Sequence, residues 1–350
     1  MSLASFLLRM PKAELHVHLE GSIRPSTLLT LARRHGIDLP ARDEEGLARW
    51  FRFRDFEHFV QIYLTICRCL RDPEDFVELG RDILQEQARQ NVLYSEVHFT
   101  VATHLGNGAN GGEIRDALCE TLQAGEKELG VRTRLIADMV RNVGPRQGDL
   151  TLEWALAGRG RGVVALGLTG SEALFPSEPF REHFAVAKQE GLHRVAHAGE
   201  HAGPESIRTA LEVCDPERIG HGVRAVEDPG LVEELRRRGM PLEICPTSNV
   251  CLGVFPSIRE HAFDPLYRAG VPVSINSDDP PIFGTTLSRE YLKLHEAFGY
   301  TPEELAAFSL AALRQSFLPP AEKDALEPEF RRQFAALGEE LLGAPVVPAA

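Results

Sequence analysis

The sequence has no apolar run of about 18 residues, no C-x-x-C pair and no excess of basic residues. Without such a run we expect no membrane-spanning helix. Six scattered cysteines in 350 residues, and an N-terminal SLASFLL too short for a signal-peptide core, indicate a cytoplasmic protein with reduced thiols. The net charge of −13 argues against nucleic acids and anionic membranes as partners.

Short segments dense in Val, Ile and Leu recur along the chain, as is typical of strands buried on both faces. They are residues 13–19, 92–100, 133–140, 162–169, 193–199, 217–222, 241–246 and 271–277. Helical patterns alternate with them, including 72–90, 203–214, 228–239 and 301–315. Eight strands alternating with helices predict a single (β/α)8 TIM barrel, of the α/β class. We assign residues 1–342 to the barrel, with extra helices inserted after the first strand, and 343–350 to a loose tail.

Two histidines, His16 and His18, end the first predicted strand and are followed by Gly21. Side chains two apart in a strand point to the same face, and the strand ends there, where barrel active sites lie. Two imidazoles in that position suit a divalent metal, and zinc above all. The alternative is a pair of surface histidines on an amphipathic strand.

Three further strand ends carry residues that can bind a metal or transfer a proton. His197 ends the fifth strand and is followed by Glu200, and His221 ends the sixth. Asp278 and Asp279 follow the eighth. Each position alone has a structural explanation, such as a hydrogen-bonded core histidine or an Asp-Asp-Pro turn. Together with the first strand they predict one site at the C-terminal mouth of the barrel.

Five short motifs give the sequence a resemblance to a known family. They are HVHLEG (16–21), HAGEH (197–201), RIGHG (218–222), CPTSN (245–249) and NSDDP (276–280). In this order they resemble the adenosine and adenine deaminases of the amidohydrolase superfamily. The resemblance implies a (β/α)8 barrel with one zinc ion. It also implies a hydrolase of purine metabolism that replaces the 6-amino group of a purine by oxygen and releases ammonia.

The resemblance also implies a role for each residue of the site. Zn²⁺ would be held by His16, His18, His197 and Asp278. His221 would orient the water that the metal activates and help to take its proton, and Glu200 would donate a proton to purine N1. Asp279 would hydrogen-bond N7. The backbone N–H of Gly170 would bind N3, although a glycine there is equally typical of an ordinary turn.

Three positions bear on the choice of substrate. Adenosine deaminases usually have Asp where Glu20 stands, whereas adenine deaminases share the Glu, and Ser171 replaces a usual Asp. If Arg24 turns inward, its guanidinium could pair with a carboxylate near the 5′ side of the sugar. A deaminase of the family that the sequence resembles acts in menaquinone biosynthesis on 6-aminodeoxyfutalosine, an adenine nucleoside with a benzoate in its 5′ extension, and the resemblance together with Arg24 makes this the favoured substrate. If Arg24 faces water at the start of a helix, adenine or adenosine deamination is the alternative.

Two other classes of function fit the same pattern less well. Many other metal-dependent hydrolases of this barrel carry a lysine that bridges two metals after the fourth strand, and GLTGSE (167–172) has none. A non-catalytic binding protein would be expected to lack Glu200 or a metal ligand, yet every position is filled. The expected partner is a small-molecule purine, and the oligomeric state stays open.

Overall fold

The eight predicted strands are all present in the structure, a computed structural model that describes residues 2–349. They run in parallel in one sheet, in the order of the chain. The strands are β1 Lys12–His18, β2 Val92–Phe99, β3 Arg132–Val140, β4 Val163–Thr169, β5 His193–Ala198, β6 Arg218–His221, β7 Leu242–Ile244 and β8 Val273–Ile275. Every observed boundary lies within two residues of the predicted one.

The barrel closes between the segment after β8 and β1. The N–H of His18 donates to the carbonyl of Asp278 at 2.8 Å, and the N–H of Asp278 donates to the carbonyl of His16 at 3.2 Å. Below them, the side-chain oxygen of Asn276 accepts from the backbone of Leu15 and of His16. The predicted (β/α)8 barrel is therefore confirmed, and its closure fixes Asp278 beside the two histidines of β1.

Seventeen α-helices surround the strands in the described part of the chain. They are α1 Leu3–Arg9, α2 Pro25–Arg34, α3 Glu44–Trp50, α4 Phe56–Arg68, α5 Pro73–Arg89, α6 Val101–Gly106, α7 Gly111–Leu129, α8 Pro145–Gly158, α9 Arg181–Gln189, α10 Pro204–Val213, α11 Pro229–Arg238, α12 Pro246–Cys251, α13 Phe263–Arg268, α14 Pro280–Phe283, α15 Leu287–Phe298, α16 Pro302–Gln315 and α17 Pro320–Leu342. Four of them, α2 to α5, lie between β1 and β2, which confirms the predicted insertion. None of the helices within residues 2–349 is long and apolar enough to cross a membrane.

Local signals in the sequence explain where the predicted helices begin and end. Both α5 and α16 start with proline after a capping box, made by Asp72 with Asp75 and by Thr301 with Glu304. Helix α11 ends at Gly239, whose φ of 61° is the left-handed conformation that favours glycine at a C-cap.

The residues after α17 form neither helix nor strand as far as Ala349. Val346 is nevertheless buried, and Arg331 donates to the carbonyl of Pro348 at 3.2 Å. That residues 343–350 form a loose tail stays a prediction.

Candidate active site

A cavity of about 470 Å³ opens among the C-terminal ends of the strands. Seven of the ten predicted site residues line it: His18, Gly170, His197, Glu200, His221, Asp278 and Asp279. His16 lies directly beneath and is fully buried. Side chains that are far apart in the sequence therefore meet because parallel strands all end at the same rim of the barrel.

Four of these side chains place their donor atoms around one point. Nε2 of His18 lies 3.3 Å from Nε2 of His197 and 3.3 Å from Oδ1 of Asp278. Nε2 of His16 lies 3.7 Å from the same Oδ1. Ligands held about 2.0–2.2 Å from a tetrahedral ion are separated by about 3.3–3.6 Å. Within residues 2–349, Nε2 of His16 is buried without a hydrogen-bond partner. Three nitrogens and one carboxylate oxygen thus fit a divalent metal ion.

Two residues of the site adopt a backbone conformation that side chains usually avoid. His221 has φ of 61° and Asp278 has φ of 64°. Such left-handed residues cost free energy and persist where their surroundings hold them. For Asp278 the two backbone hydrogen bonds to β1 supply that hold. Both side chains line the cavity.

A buried carboxylate beneath the cavity orients His16. Nδ1 of His16 donates to Oε2 of Glu243 at 2.8 Å, and neither side chain is exposed. Burial by itself would raise the pKa of Glu243, but Arg218 and then His16 lower it to about 2. Glu243 is therefore ionised and fixes the proton of His16 on Nδ1. The lone pair on Nε2 is then free for a metal.

Glu243 belongs to a larger set of buried charges that sequence analysis missed. Arg218 pairs with both Glu243 and Glu96, and all three side chains are buried. The Arg218 guanidinium also lies 3.5 Å from the centre of the Phe317 ring. On the other side of the site, Asp138 accepts from the ring of His98 at 3.0 Å. The signal in the sequence that could have revealed these buried charges is an acidic residue inside an otherwise apolar strand.

The direction of the hydrogen bonds to His221 follows from one backbone amide. The N–H of Phe263 donates to Nδ1 of His261 at 3.0 Å, so that ring carries its proton on Nε2. Burial, and then His221, lower the pKa of His261 to about 3, so the ring is neutral. Its Nε2–H meets Oδ1 of Asn249 at 3.1 Å, which leaves the Asn249 amide N–H to donate to Nδ1 of His221 at 3.3 Å. His221 therefore carries its proton on Nε2, 3.7 Å from Oε2 of Glu200.

Two carboxyl groups in the cavity differ in their ionisation. Burial would raise the pKa of Glu200, but His221 and then His201 lower it below its usual value. Glu200 is thus a carboxylate before substrate binds, with Nδ1 of His201 at 3.0 Å. Burial and the neighbouring Asp278 raise the pKa of Asp279 well above its usual value. A carboxyl group whose pKa is raised in this way holds its proton more readily than an ordinary aspartate does.

Gly170 is a position that only glycine fits. Its φ is 101°, and a Cβ there would lie 2.4 Å from Oδ1 of Asn142. That same oxygen accepts from the N–H of Ser171 at 2.9 Å. The close approach of the backbone to the cavity wall is a stronger constraint than an ordinary turn imposes.

Glu20 does not lie on the wall of the cavity. Oε1 of Glu20 accepts from the N–H of Thr100 and from Nε2 of His104, at 3.0 and 3.1 Å. Burial would raise the pKa of Glu20, but His104 and then Thr100 lower it to about 2. Glu20 is thus a buried carboxylate directly behind Thr100, which does line the cavity.

Arg24 points away from the cavity, contrary to the orientation that substrate recognition would need. Its guanidinium donates to Oε1 of Gln85 at 2.9 Å and lies 3.6 Å from Asp82, both on α5. Arg24 is the N-cap residue of α2, which corresponds to the alternative of a helix start. Its partners are about 60 residues away along the chain, so their position could not be read from the local sequence.

The outer part of the cavity is apolar and aromatic, another feature that sequence analysis missed. Helix α4 supplies Phe56, Phe59, Val60 and Tyr63, and Leu252 lies after α12. The apolar positions of α4 recur at helical spacing, which is the signal that could have identified this face.

Comparisons with known proteins identify the family to which the chain belongs. The sequence model of the family described as "Adenosine deaminase" matches residues 11–332. An aminodeoxyfutalosine deaminase of Streptomyces coelicolor is 38% identical over 336 residues, covering 95% of this chain and 87% of that protein. An adenine deaminase of Vibrio parahaemolyticus is 36% identical over 314 residues, covering 90% and 93%.

A solved structure gives the same result for the fold. The crystal structure of adenine deaminase from Arthrobacter aurescens superposes with a TM-score of 0.88 at 31% identity. The match covers 92% of this chain and 98% of that one. The extent of these matches shows that the protein belongs to the adenosine deaminase family, and that it is a hydrolytic deaminase of adenine-type substrates.

Proposed function

We propose that this protein uses one Zn²⁺ ion per chain to deaminate an adenine nucleoside, and that 6-aminodeoxyfutalosine is its preferred substrate. The observation that carries the proposal is the form of the cavity. Its polar floor holds the proposed chemistry, and its apolar outer part leaves room beyond a purine base. Cavities of about 300–1,000 Å³ typically hold drug-sized ligands, and this one has about 470 Å³.

The ligands of the ion would be His16, His18, His197 and Asp278. When bound, zinc would supply the Lewis acidity that makes water a nucleophile at neutral pH. We expect about one zinc per purified chain and loss of ammonia release on chelation, with activity restored by added zinc. Full activity in a sample verified to be free of metal would contradict this part of the proposal.

The side chains around the proposed ion would bind and polarise the purine. Glu200 would take up a proton when substrate binds and present it to N1, which lets the ring accept an attacking nucleophile at C6. N7 of a purine is only an acceptor, so Asp279 must be protonated to hydrogen-bond it. The N–H of Gly170 would donate to N3.

His221 would orient the attacking water. Its Nε2–H faces the cavity because Asn249 occupies Nδ1, so it can donate a hydrogen bond to the water oxygen. With its proton on Nε2 and Nδ1 occupied by Asn249, His221 has no free lone pair to take the water's proton. We therefore assign His221 the orientation of the water and not the uptake of its proton.

The preference for an extended substrate is supported by the apolar wall of α4. A benzoate-bearing 5′ extension could pack its ring against Phe56 and Phe59. Within residues 2–349 no Lys or Arg lines the cavity, so the carboxylate of such a substrate would lie at the solvent-exposed mouth. Recognition would then depend on the aromatic ring of the substrate, while Arg24 stays paired with Asp82 and Gln85 on α5.

The test is to measure kcat/KM for adenine, adenosine and 6-aminodeoxyfutalosine on the parent protein and on Phe59→Ala. We expect the extended nucleoside to be preferred, and Phe59→Ala to lower its kcat/KM by about 2- to 12-fold more than that for adenine. Arg24→Ala is the matched control and should leave the preference unchanged. If Arg24→Ala abolishes the preference, the Arg24 guanidinium must leave its partners on α5 and contact the substrate.

The other outcomes identify the alternatives. If free adenine is preferred, the protein is an adenine deaminase, as several of its relatives are named. If adenosine is preferred and Phe59→Ala affects all three substrates equally, the protein is an adenosine deaminase and the outer part of the cavity does not select the substrate.

A further inference from the structure

The segment that carries Glu200 is held by a side chain from the neighbouring loop. Residues 199–202 follow β5 as bends, without helix or strand. The carboxylate of Glu172, in the loop after β4, accepts hydrogen bonds from three consecutive N–H groups of this segment. They are those of Gly199 at 2.6 Å, Glu200 at 3.0 Å and His201 at 3.1 Å. The hydroxyl of Ser206 also donates to it.

These N–H groups and the Ser206 hydroxyl together form a binding site for the Glu172 carboxylate. Gly199 has φ of 70°, which lets successive N–H groups converge on one point, as they do in backbone sites for anions. Glu172 is only 6% exposed, so its hydrogen bonds are shielded from water. Hydrogen bonds to an ionised carboxylate are about twice as strong as those between neutral groups.

Two buried or half-buried arginines hold the same segment from its carbonyl side. Arg141 donates to the carbonyl of His197 at 2.6 Å, and Arg224 donates to the carbonyl of His201 at 2.8 Å. The backbone from 197 to 201 is thus fixed at both ends and in the middle. Of Glu172, Arg141 and Arg224, only Glu172 accepts a hydrogen bond from the backbone N–H of Glu200 itself.

We infer that Glu172 is a positioning residue that sets the direction in which the Glu200 carboxyl enters the cavity. Gly170, the proposed donor to N3, stands two residues earlier in the same loop. One loop therefore fixes both contacts to the six-membered ring of the purine, to N3 directly and to N1 through Glu200. This inference rests on the proposed role of Glu200 as the proton donor.

Glu172→Gln tests the inference with little change of size. The amide keeps one acceptor oxygen but places an NH₂ group against N–H groups, so the segment must shift. Because misplacement of a reacting group by about 1 Å can cost 10²-fold, we expect kcat to fall by about 10- to 100-fold. KM should change less than about threefold, and zinc content and thermal stability should stay near those of the parent. The matched control is Glu178→Gln, an exposed carboxylate six residues further on, which should behave as the parent.

Hydrogen exchange of the parent protein gives a second measurement that does not need the variant to fold. The amides of residues 199–201 should exchange slowly although they belong to no helix or strand, and Glu172→Gln should accelerate them. Rapid exchange in the parent overturns the inference, as does a Glu172→Gln enzyme with parental kcat. Loss of zinc and of folding together with activity in Glu172→Gln would also overturn it, because the role would then be structural.

The outcome for Glu200 separates this inference from the proposed function. If Glu200→Gln is as active as the parent, the proton donor is misassigned and the proposed mechanism fails. If Glu200→Gln is inactive and Glu172→Gln is not, the mechanism stands and the positioning role of Glu172 fails.

Discussion

Replacing Glu243 by Gln should weaken zinc binding although Glu243 would not touch the metal. Oε2 of Glu243 accepts from Nδ1 of His16 at 2.8 Å, and Oε1 accepts from Arg218. A Gln side chain has one oxygen and one NH₂, so it must present a donor either to His16 or to Arg218. If the NH₂ group faces His16, the imidazole loses the acceptor that keeps its proton on Nδ1. Loss of such an outer partner costs about 10- to 100-fold in metal affinity.

The same change should lower the stability of the fold. Arg218 is buried and would keep only Glu96 as a full carboxylate partner. Removing one partner of a buried ion pair costs about 3–5 kcal/mol. Because Glu96 remains and Gln retains one oxygen, we expect a loss at the lower end, about 3 kcal/mol.

Glu96→Gln separates the two effects. Glu96 contacts the same Arg218 and is equally buried, but its other hydrogen bonds go to Tyr94 and to the N–H of Phe317. It should cost stability, measured by urea unfolding of the metal-free protein, without changing zinc affinity, measured by competition with a chromogenic chelator. Parental zinc affinity in Glu243→Gln, or an equal loss of affinity in both variants, would refute the reasoning.

Three further predictions follow from the site and the surface. Glu200→Gln should lower turnover by at least about 10²-fold with zinc content unchanged, since it removes the proton proposed for N1. Asn249→Asp should reverse the hydrogen bond to His221 and move its proton to Nδ1, lowering kcat by at least about 10²-fold, with the tautomer read by ¹⁵N NMR. Hydrogen bonding by Arg314 lowers the pKa of Glu327 from 4.5 to about 2. The pairing should stabilise the folded protein above about pH 4.5, and this contribution should be lost as the pH falls toward 2. In acid unfolding, Glu327→Gln should lack this pH-dependent contribution.

The fold and the floor of the site could be predicted because they depend on short-range rules. Strands buried on both faces are apolar runs, and eight of them alternating with helices leave few arrangements other than a barrel. His16 and His18 could be placed because alternation within one strand fixes their common face. Parallel strands then bring His197 and Asp278 to the same rim.

The direction of a side chain on a loop or helix start depends on partners elsewhere in the chain. Arg24 illustrates this, because Asp82 and Gln85 reach it only after α5 has packed beside α2. Glu172 is a second case, since its three amide donors belong to the segment after the next strand. Neither contact can be recognised from the residues next to it in the sequence. The acidic residues inside β2 and β7 can, because they interrupt apolar strands.

The support of the site runs through the interior of the barrel and does not depend on the loops alone. From the ring of Phe317 the contacts lead to Arg218, from there to Glu243, and from Glu243 to His16. Barrel interiors are usually filled by branched apolar side chains, so a buried ion pair here is a cost in stability. In return, the ion pair holds Glu243 on a rigid strand, and Glu243 sets the proton and the orientation of the proposed ligand His16. Helix α4, which lines the outer part of the cavity, is then free to vary in the substrate it selects without disturbing the proposed metal.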